Sequence, residues 1–228
     1  MKKRKKIIVL IILLILIIIA ITLMLINRKK DYTIKGITNT NIECFSKDKI
    51  CEKGTLVSIN VNKDEKYDFY VIDDTGSKLT LIMNKNIGNN TNWSLNSNNC
   101  TKGPDNLIDY IKKLTANWSN IEEKEYTISD DNNCYAEKKE KLRARIPTLA
   151  EVTNNGCEYF YENTCPNYLT NSLGNNSSGY WLSTTKYPDD QQGAYTVYKN
   201  GSLSSTWVIT DKYYGLRIVI EVEKWKKY

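Results

Sequence analysis

The chain has 228 residues, enough for one domain or two small ones, with 41% hydrophobic residues and a formal net charge of +6. That excess belongs to the first 30 residues, which hold eight Lys/Arg and no Asp/Glu; the remaining residues carry 24 basic against 26 acidic side chains, a net of −2. A nucleic-acid-binding domain needs its basic patch on the folded part, so none is expected here. There is no histidine, which excludes Ser-His-Asp and Cys-His catalysis, His-bearing zinc sites and His-based pH sensing.

Residues 1–6 form a basic tail, MKKRKK, and residues 7–26 form an uncharged apolar run of 20 residues. At the helical rise this run spans roughly 30 Å, the thickness of a hydrocarbon core. It is longer than the apolar part of a secretory signal and is followed by no small-x-small site, although a cleaved signal is the competing reading. Lys2, Lys3, Arg4, Lys5 and Lys6 outweigh Arg28, Lys29 and Lys30. The N-terminus is therefore expected in the cytoplasm and the C-terminal part outside a cell membrane, with residues 7–26 as a single-pass anchor. The helix is nearly all Ile and Leu, with Ala20 alone among small residues, so it reads as a plain anchor. Residues 27–53 read as a juxtamembrane stalk and residues 54–228 as an extracellular domain.

Six cysteines, Cys44, Cys51, Cys100, Cys134, Cys157 and Cys165, all follow the anchor. An even number on the exported side favours disulfides. Sequence proximity pairs Cys44 with Cys51, Cys100 with Cys134 and Cys157 with Cys165. No C-x2-C pair occurs, which argues against zinc; reduced, buried thiols are the alternative.

Along the domain, TLVSINV (55–61) alternates, with Val57, Ile59 and Val61 on one face. KYDFYVIDD and KLTLIMN, joined by a Gly-containing turn, form a hairpin signal. NNTNWSLNSNNCTKG reads as loop. PDNLIDYIKKLTANW (104–118) reads as a helix, with Pro104 in its first turn and Leu107, Ile108, Ile111 and Leu114 as a core-facing stripe. YAEKKEKLRAR reads as helical with solvated charges. Thr148, after Pro147, with Glu151 three residues on, forms a capping-box pattern. GYWLSTT, GAYTVYKNGSLSSTWVIT and YYGLRIVIEV read as strands, the second folded back at KNGS. In the third, Leu216, Ile218, Ile220 and Val222 alternate with Arg217, Val219 and Glu221, as in a half-buried strand.

Three of these stretches, in order, carry a family resemblance. RIPTLAEV resembles the R-L-P-T-E-A-E-W segment of formylglycine-generating-enzyme-like domains. GYWLSTT resembles their Trp-containing strand, and YGLRIVIEV their closing G-F-R-x-V strand. The opening hairpin is similar to that of related bacterial surface domains, so the resemblance covers residues 54–223. It implies an α+β, C-type-lectin-like fold with twisted antiparallel sheets and long loops. In that fold Arg145, Pro147, Thr148, Glu151, Trp181, Gly215 and Arg217 are structural, with Arg145 tied to a neighbouring carboxylate or carbonyl. The catalytic cysteine pair of the oxygen-dependent enzymes has no counterpart between Trp181 and Gly215. The Glu-Pro-Asn, Gln-Pro-Asp and Trp-Asn-Asp triplets of the calcium-dependent sugar readers are also missing. YPDDQQG (187–193) offers carboxylates to a hard cation such as calcium, though adjacent loop Asp residues are more often solvated; no cofactor is expected.

The expected function is therefore a non-catalytic, membrane-anchored binding or adhesion domain, with a glycan or protein ligand on the cell surface. The candidate ligand surface is Tyr187, Asp189, Asp190, Gln191, Gln192, Trp207, Tyr213 and Tyr214, loop aromatics beside polar groups. Trp181 is expected in the core. The alternatives are an envelope hydrolase using a carboxylate pair and an accessory subunit of an envelope assembly.

Overall fold

A computed structural model of the protein describes residues 43–45, 49–159, 161–174, 176–209 and 213–224. The run read as a membrane anchor and most of the stalk lie outside these residues. Among the described residues no helix is long and apolar enough to cross a membrane.

The domain is mixed α+β, with mostly antiparallel sheets and few helices. Strands β1 (Leu56–Asn60), β2 (Lys66–Asp74), β3 (Lys78–Met83) and β10 (Val219–Glu223) make the first sheet, in the order β1-β2-β3-β10. The β2–β3 turn closes as its sequence predicts. Gly76 sits at φ +85°, and Asp74 Oδ1 accepts from its N–H at 2.7 Å. A second sheet holds β6 (Gly179–Thr185), β7 (Gly193–Tyr198), β8 (Leu203–Trp207) and β9 (Tyr214–Gly215), in the order β8-β7-β6-β9, with β9 parallel to β6. Strands β4 (Lys124–Ile128) and β5 (Lys138–Leu142) form a separate antiparallel pair.

The first sheet is buried on both faces through β3 and the start of β10, whereas β1 buries one face. Val57, Ile59, Phe69, Val71, Leu79, Leu81, Met83 and Ile220 face one apolar cluster, while Ile72, Ile82 and Val219 face the other. This corrects the half-buried reading of YYGLRIVIEV. Residues 214 to 220 are all buried, and the run breaks into β9 and β10 around Leu216–Ile218. Continuous apolar character here marks a strand covered on both sides rather than one wetted face.

The helices are short. α1 (Asn99–Lys102) interrupts the segment read as loop. α2 (Asp105–Leu114) buries Leu107, Ile108 and Ile111, while Leu114 is half-buried and Pro104 stands at the N-cap rather than inside the helix. α3 (Leu149–Thr153) opens on the predicted capping box: Thr148 Oγ1 accepts from Glu151 N at 3.1 Å, and Glu151 Oε2 accepts from Thr148 N at 2.8 Å. α4 (Asn167–Thr170) follows the third disulfide.

YAEKKEKLRAR is not a helix. Its Lys138–Leu142 part pairs residue by residue with β4, a strand the sequence did not announce. Glu125 stands opposite Lys141, and Leu142 turns inward at 2% exposure. Cross-strand charge pairing and one buried anchor override the helix propensity of Lys, Glu and Ala.

The three disulfides join Cys44–Cys51, Cys100–Cys134 and Cys157–Cys165. The first closes a segment read as stalk, yet Phe45 and Cys51 are buried on the first core cluster. Lys224, at the end of the last strand, locks that segment down: its Nζ donates to Lys49 O at 2.9 Å and is ion-paired with Asp74.

Candidate functional site

The connection from β6 to β7 carries most of the predicted ligand residues and is held firmly. Asp130 accepts from Thr185 N at 3.0 Å, from Thr185 Oγ1 at 2.5 Å and from Cys134 N at 3.0 Å. The end of β6 is thus bolted to the Cys100–Cys134 loop. Asp190 Oδ1 accepts from Gln192 N at 2.8 Å, and Lys186 N donates to Gly193 O at 2.9 Å, so Asp190 builds the turn itself. Asp189, Gln191 and Gln192 are exposed and Tyr187 is half-buried. Among the described residues no group of three or more His, Cys, Asp or Glu side chains is placed to hold a metal ion.

Trp207 ends β8 with 61% of its surface exposed, paired to Gly193. Val208 beside it is fully buried; its N–H donates to Gln192 O at 2.9 Å, and its carbonyl accepts from Trp93 N and Ser94 N at 2.8 and 3.2 Å. Ile209, in the turn that follows β8, is 45% exposed. Leu95, 75% exposed, follows directly on Ser94. Three large apolar side chains thus stand in water around one buried Val. Ile209 carried no sequence signal, because Trp-Val-Ile is uniformly apolar. Leu95 gave none, because only the fold brings its loop to β8.

The structure does not gather the predicted residues on one surface. Tyr213 is 55% exposed, but it lies at the far end of the sheet, its carbonyl accepting from Ser178 N at 2.6 Å. Tyr214 pairs with Gly179 at the start of β6, whereas Trp207 belongs with the end near Thr185. Tyr214 is also only 5% exposed, with its ring 5.1 Å from that of Trp181 and 5.5 Å from that of Tyr198. It is a core residue, a correction to its place among the exposed aromatics; it alternates with the exposed Tyr213.

The motif residues form a structural spine. Arg145 is bidentate to Glu151, at 2.9 and 2.5 Å, and reaches Glu221 Oε1 from Nε and Nη2 at 3.2 and 2.9 Å. Burial opposes the Arg145 charge, but the two carboxylates outweigh it and push its pKa up. Burial would likewise raise the Glu221 carboxyl, yet Arg145, Lys78 and Lys124 hold it down at about 2. Trp181 is fully buried and donates Nε1–H to Thr91 O at 2.8 Å. Arg217, also fully buried, donates to the main-chain carbonyls of Met83, Tyr168 and Leu169, tying α4 to the first sheet. Gly215 leaves room for Asn86, whose Nδ2 donates to Leu173 O at 2.9 Å and to Gly179 O at 3.1 Å; a Cβ there would press into that amide.

These observations define a disulfide-stapled α+β domain with a rigid loop end and an exposed apolar patch. Comparison with known proteins finds no matching family model, no matching curated protein and no matching solved structure.

Proposed function

We propose that the protein is a non-catalytic binding domain of C-type-lectin-like fold, held on the outer side of a cell membrane by residues 7–26, which binds a protein partner through the patch of Leu95, Trp207 and Ile209. The observation that carries this reading is the exposure of these three side chains around the buried Val208. Apolar groups clustered in water on a disulfide-bonded scaffold mark an interaction surface. Aliphatic Leu and Ile beside the Trp suit a protein contact better than a sugar, which stacks on the aromatic and spends its hydroxyls on polar neighbours. The fold assignment is supported by the return of the last strand, β10, onto the opening hairpin and by the second sheet rising from the connections between them.

The non-catalytic reading is supported by the engagement of both carboxylates that flank Arg145. Glu151 accepts two hydrogen bonds from its guanidinium, and Glu221 is shared by Arg145, Lys78 and Lys124, so neither stands free to act as a general acid.

The test is photocrosslinking on cells that carry the full chain. A photoreactive residue at position 207 should give one discrete protein adduct that disappears when Leu95 and Ile209 become Ser. A photoreactive residue at the exposed position 63 should give none. Identical adducts from both positions, or none from 207, would overturn the reading.

A further inference from the structure

β8 is the outer strand of the second sheet, with β7 on one side of it. Val208 N donates to Gln192 O and Tyr198 N donates to Ser202 O. By the antiparallel alternation, Ser204 and Thr206 therefore turn their main chain toward β7, and Leu203, Ser205 and Trp207 turn theirs outward. Leu203 is engaged there, its N–H donating to Glu158 O at 3.3 Å. The main-chain N–H and C=O groups of Ser205 and Trp207 have no partner among the described residues.

Sheet edges are ordinarily protected from other chains by charge, proline or a bulge. The strand LSSTW carries no charge and no proline, and it pairs with β7 without a register shift. It ends instead on Trp207, 61% exposed.

This edge is complementary to itself. Its two free residues stand two positions apart. In an antiparallel pairing about a two-fold axis at Thr206, Ser205 faces Trp207 of a second copy and Trp207 faces that copy's Ser205. Each free N–H then meets a free C=O. The pairing stops there, because the chain leaves the strand at Val208.

The side chains agree with the main chain. Ser205 and Trp207 lie on one face of β8. Ser205 is paired across to Tyr195, whose ring lies 5.3 Å from that of Tyr159. The second copy's Trp207 thus enters a gap above a small residue, with aromatic rings beside it. A two-fold axis makes this large-against-small contact twice. A strand from an unrelated protein would need the open edge but not the Ser-x-Trp spacing.

We propose that β8 pairs with β8 of a second copy of this chain, joining the two sheets into one, with each Trp207 seated over the other copy's Ser205. The proposal rests on the reading of the Trp207 patch as an interaction surface and names its occupant.

The test is sedimentation of the full chain in detergent micelles over a range of concentrations. The wild-type chain should dimerise. Ser205→Pro removes one outward N–H and no bond to β7, and should weaken the dimer at least tenfold. So should Ser205→Trp, which sets Trp against Trp, and Trp207→Ser, which leaves the gap empty. The double variant Ser205→Trp, Trp207→Ser exchanges the large and the small residue, and should recover most of the affinity that either single change loses. Melting temperatures of all four variants, read beside the masses, separate lost pairing from lost folding. The proposal is overturned if folded Ser205→Pro dimerises as well as the wild type, since the two share every other contact. It is also overturned if the folded double variant dimerises no better than the single ones. On cells, a photoreactive residue at position 207 should give an adduct with the mass of two chains. An adduct with a different protein overturns the second-copy proposal and leaves the patch as an interaction surface; no adduct overturns both.

Discussion

Lys224 and Asp74 form an ion pair with side-chain exposures of 0% and 1%. The same Asp74 carboxylate accepts from Cys51 N at 2.6 Å and from Gly76 N at 2.7 Å. One buried charge pair therefore joins the last strand, the first hairpin and the first disulfide loop. Removing one partner leaves the other charge uncompensated, at a cost of about 3–5 kcal/mol. Lys224→Met should lower the stability of the full chain by that order in urea unfolding. The double variant Lys224→Met, Asp74→Leu should lose clearly less than the sum of the two single ones.

Acid should act through Glu221. Its folded pKa, about 2, lies below its ordinary value of 4.5. A depressed folded pKa contributes stability that is fully present above 4.5 and is lost as pH falls toward 2. The urea midpoint should therefore decline across that window. Glu221→Gln should be less stable at neutral pH and should show a shallower acid limb. An equally steep decline in that variant would assign the acid sensitivity to other carboxylates.

Gly215 should resist every side chain. Gly215→Ala places a methyl against Asn86, whose amide spans Leu173, Ser177 and Gly179. Overpacking of this kind costs about 1–3 kcal/mol. The shift should be read from the melting temperature, and pairing the change with Asn86→Ala should relieve the overlap while exposing the cost of the lost amide bonds.

The Cys100–Cys134 bridge closes a loop with a sequence separation of 34 and anchors the Asp130 turn that holds the end of β6. Loop-closure entropy puts its contribution at about 4 kcal/mol. Replacing both cysteines by Ala should lower unfolding stability by that order. Protease cleavage within 186–192 should also accelerate, because the bolt on that connection loosens.

Much of this architecture was legible in the chain. The β2–β3 hairpin, the KNGS turn, the Thr148–Glu151 capping box and the nearest-neighbour disulfides follow from local chemistry, and local chemistry is what a sequence displays. Three features were not. β5 lies in a charged stretch that reads as helix and β4 in one without a strand signal, and only their mutual pairing makes them strands. Arg217 sits in an alternating pattern that suggests a wetted face. It is buried because three main-chain carbonyls from β3 and α4 converge on it. Leu95 lies in a polar loop whose approach to Val208 depends on a main-chain bond from Ser94 across the fold. The predicted ligand residues also divided: Trp207 stayed at the surface with the 187–192 loop, while Tyr214 went into the core.

Trp207 and Ile209 are proposed to serve a partner rather than the fold. The most direct measurement compares the wild-type chain with Trp207→Ser, Ile209→Ser on the cell surface, scoring the yield of the protein adduct from a photoreactive residue at position 95 against the thermal midpoint. The adduct should fall at least tenfold while the midpoint stays within a few degrees, because exposed side chains contribute little to folding. An unchanged adduct yield, or a midpoint that drops together with it, would contradict the account.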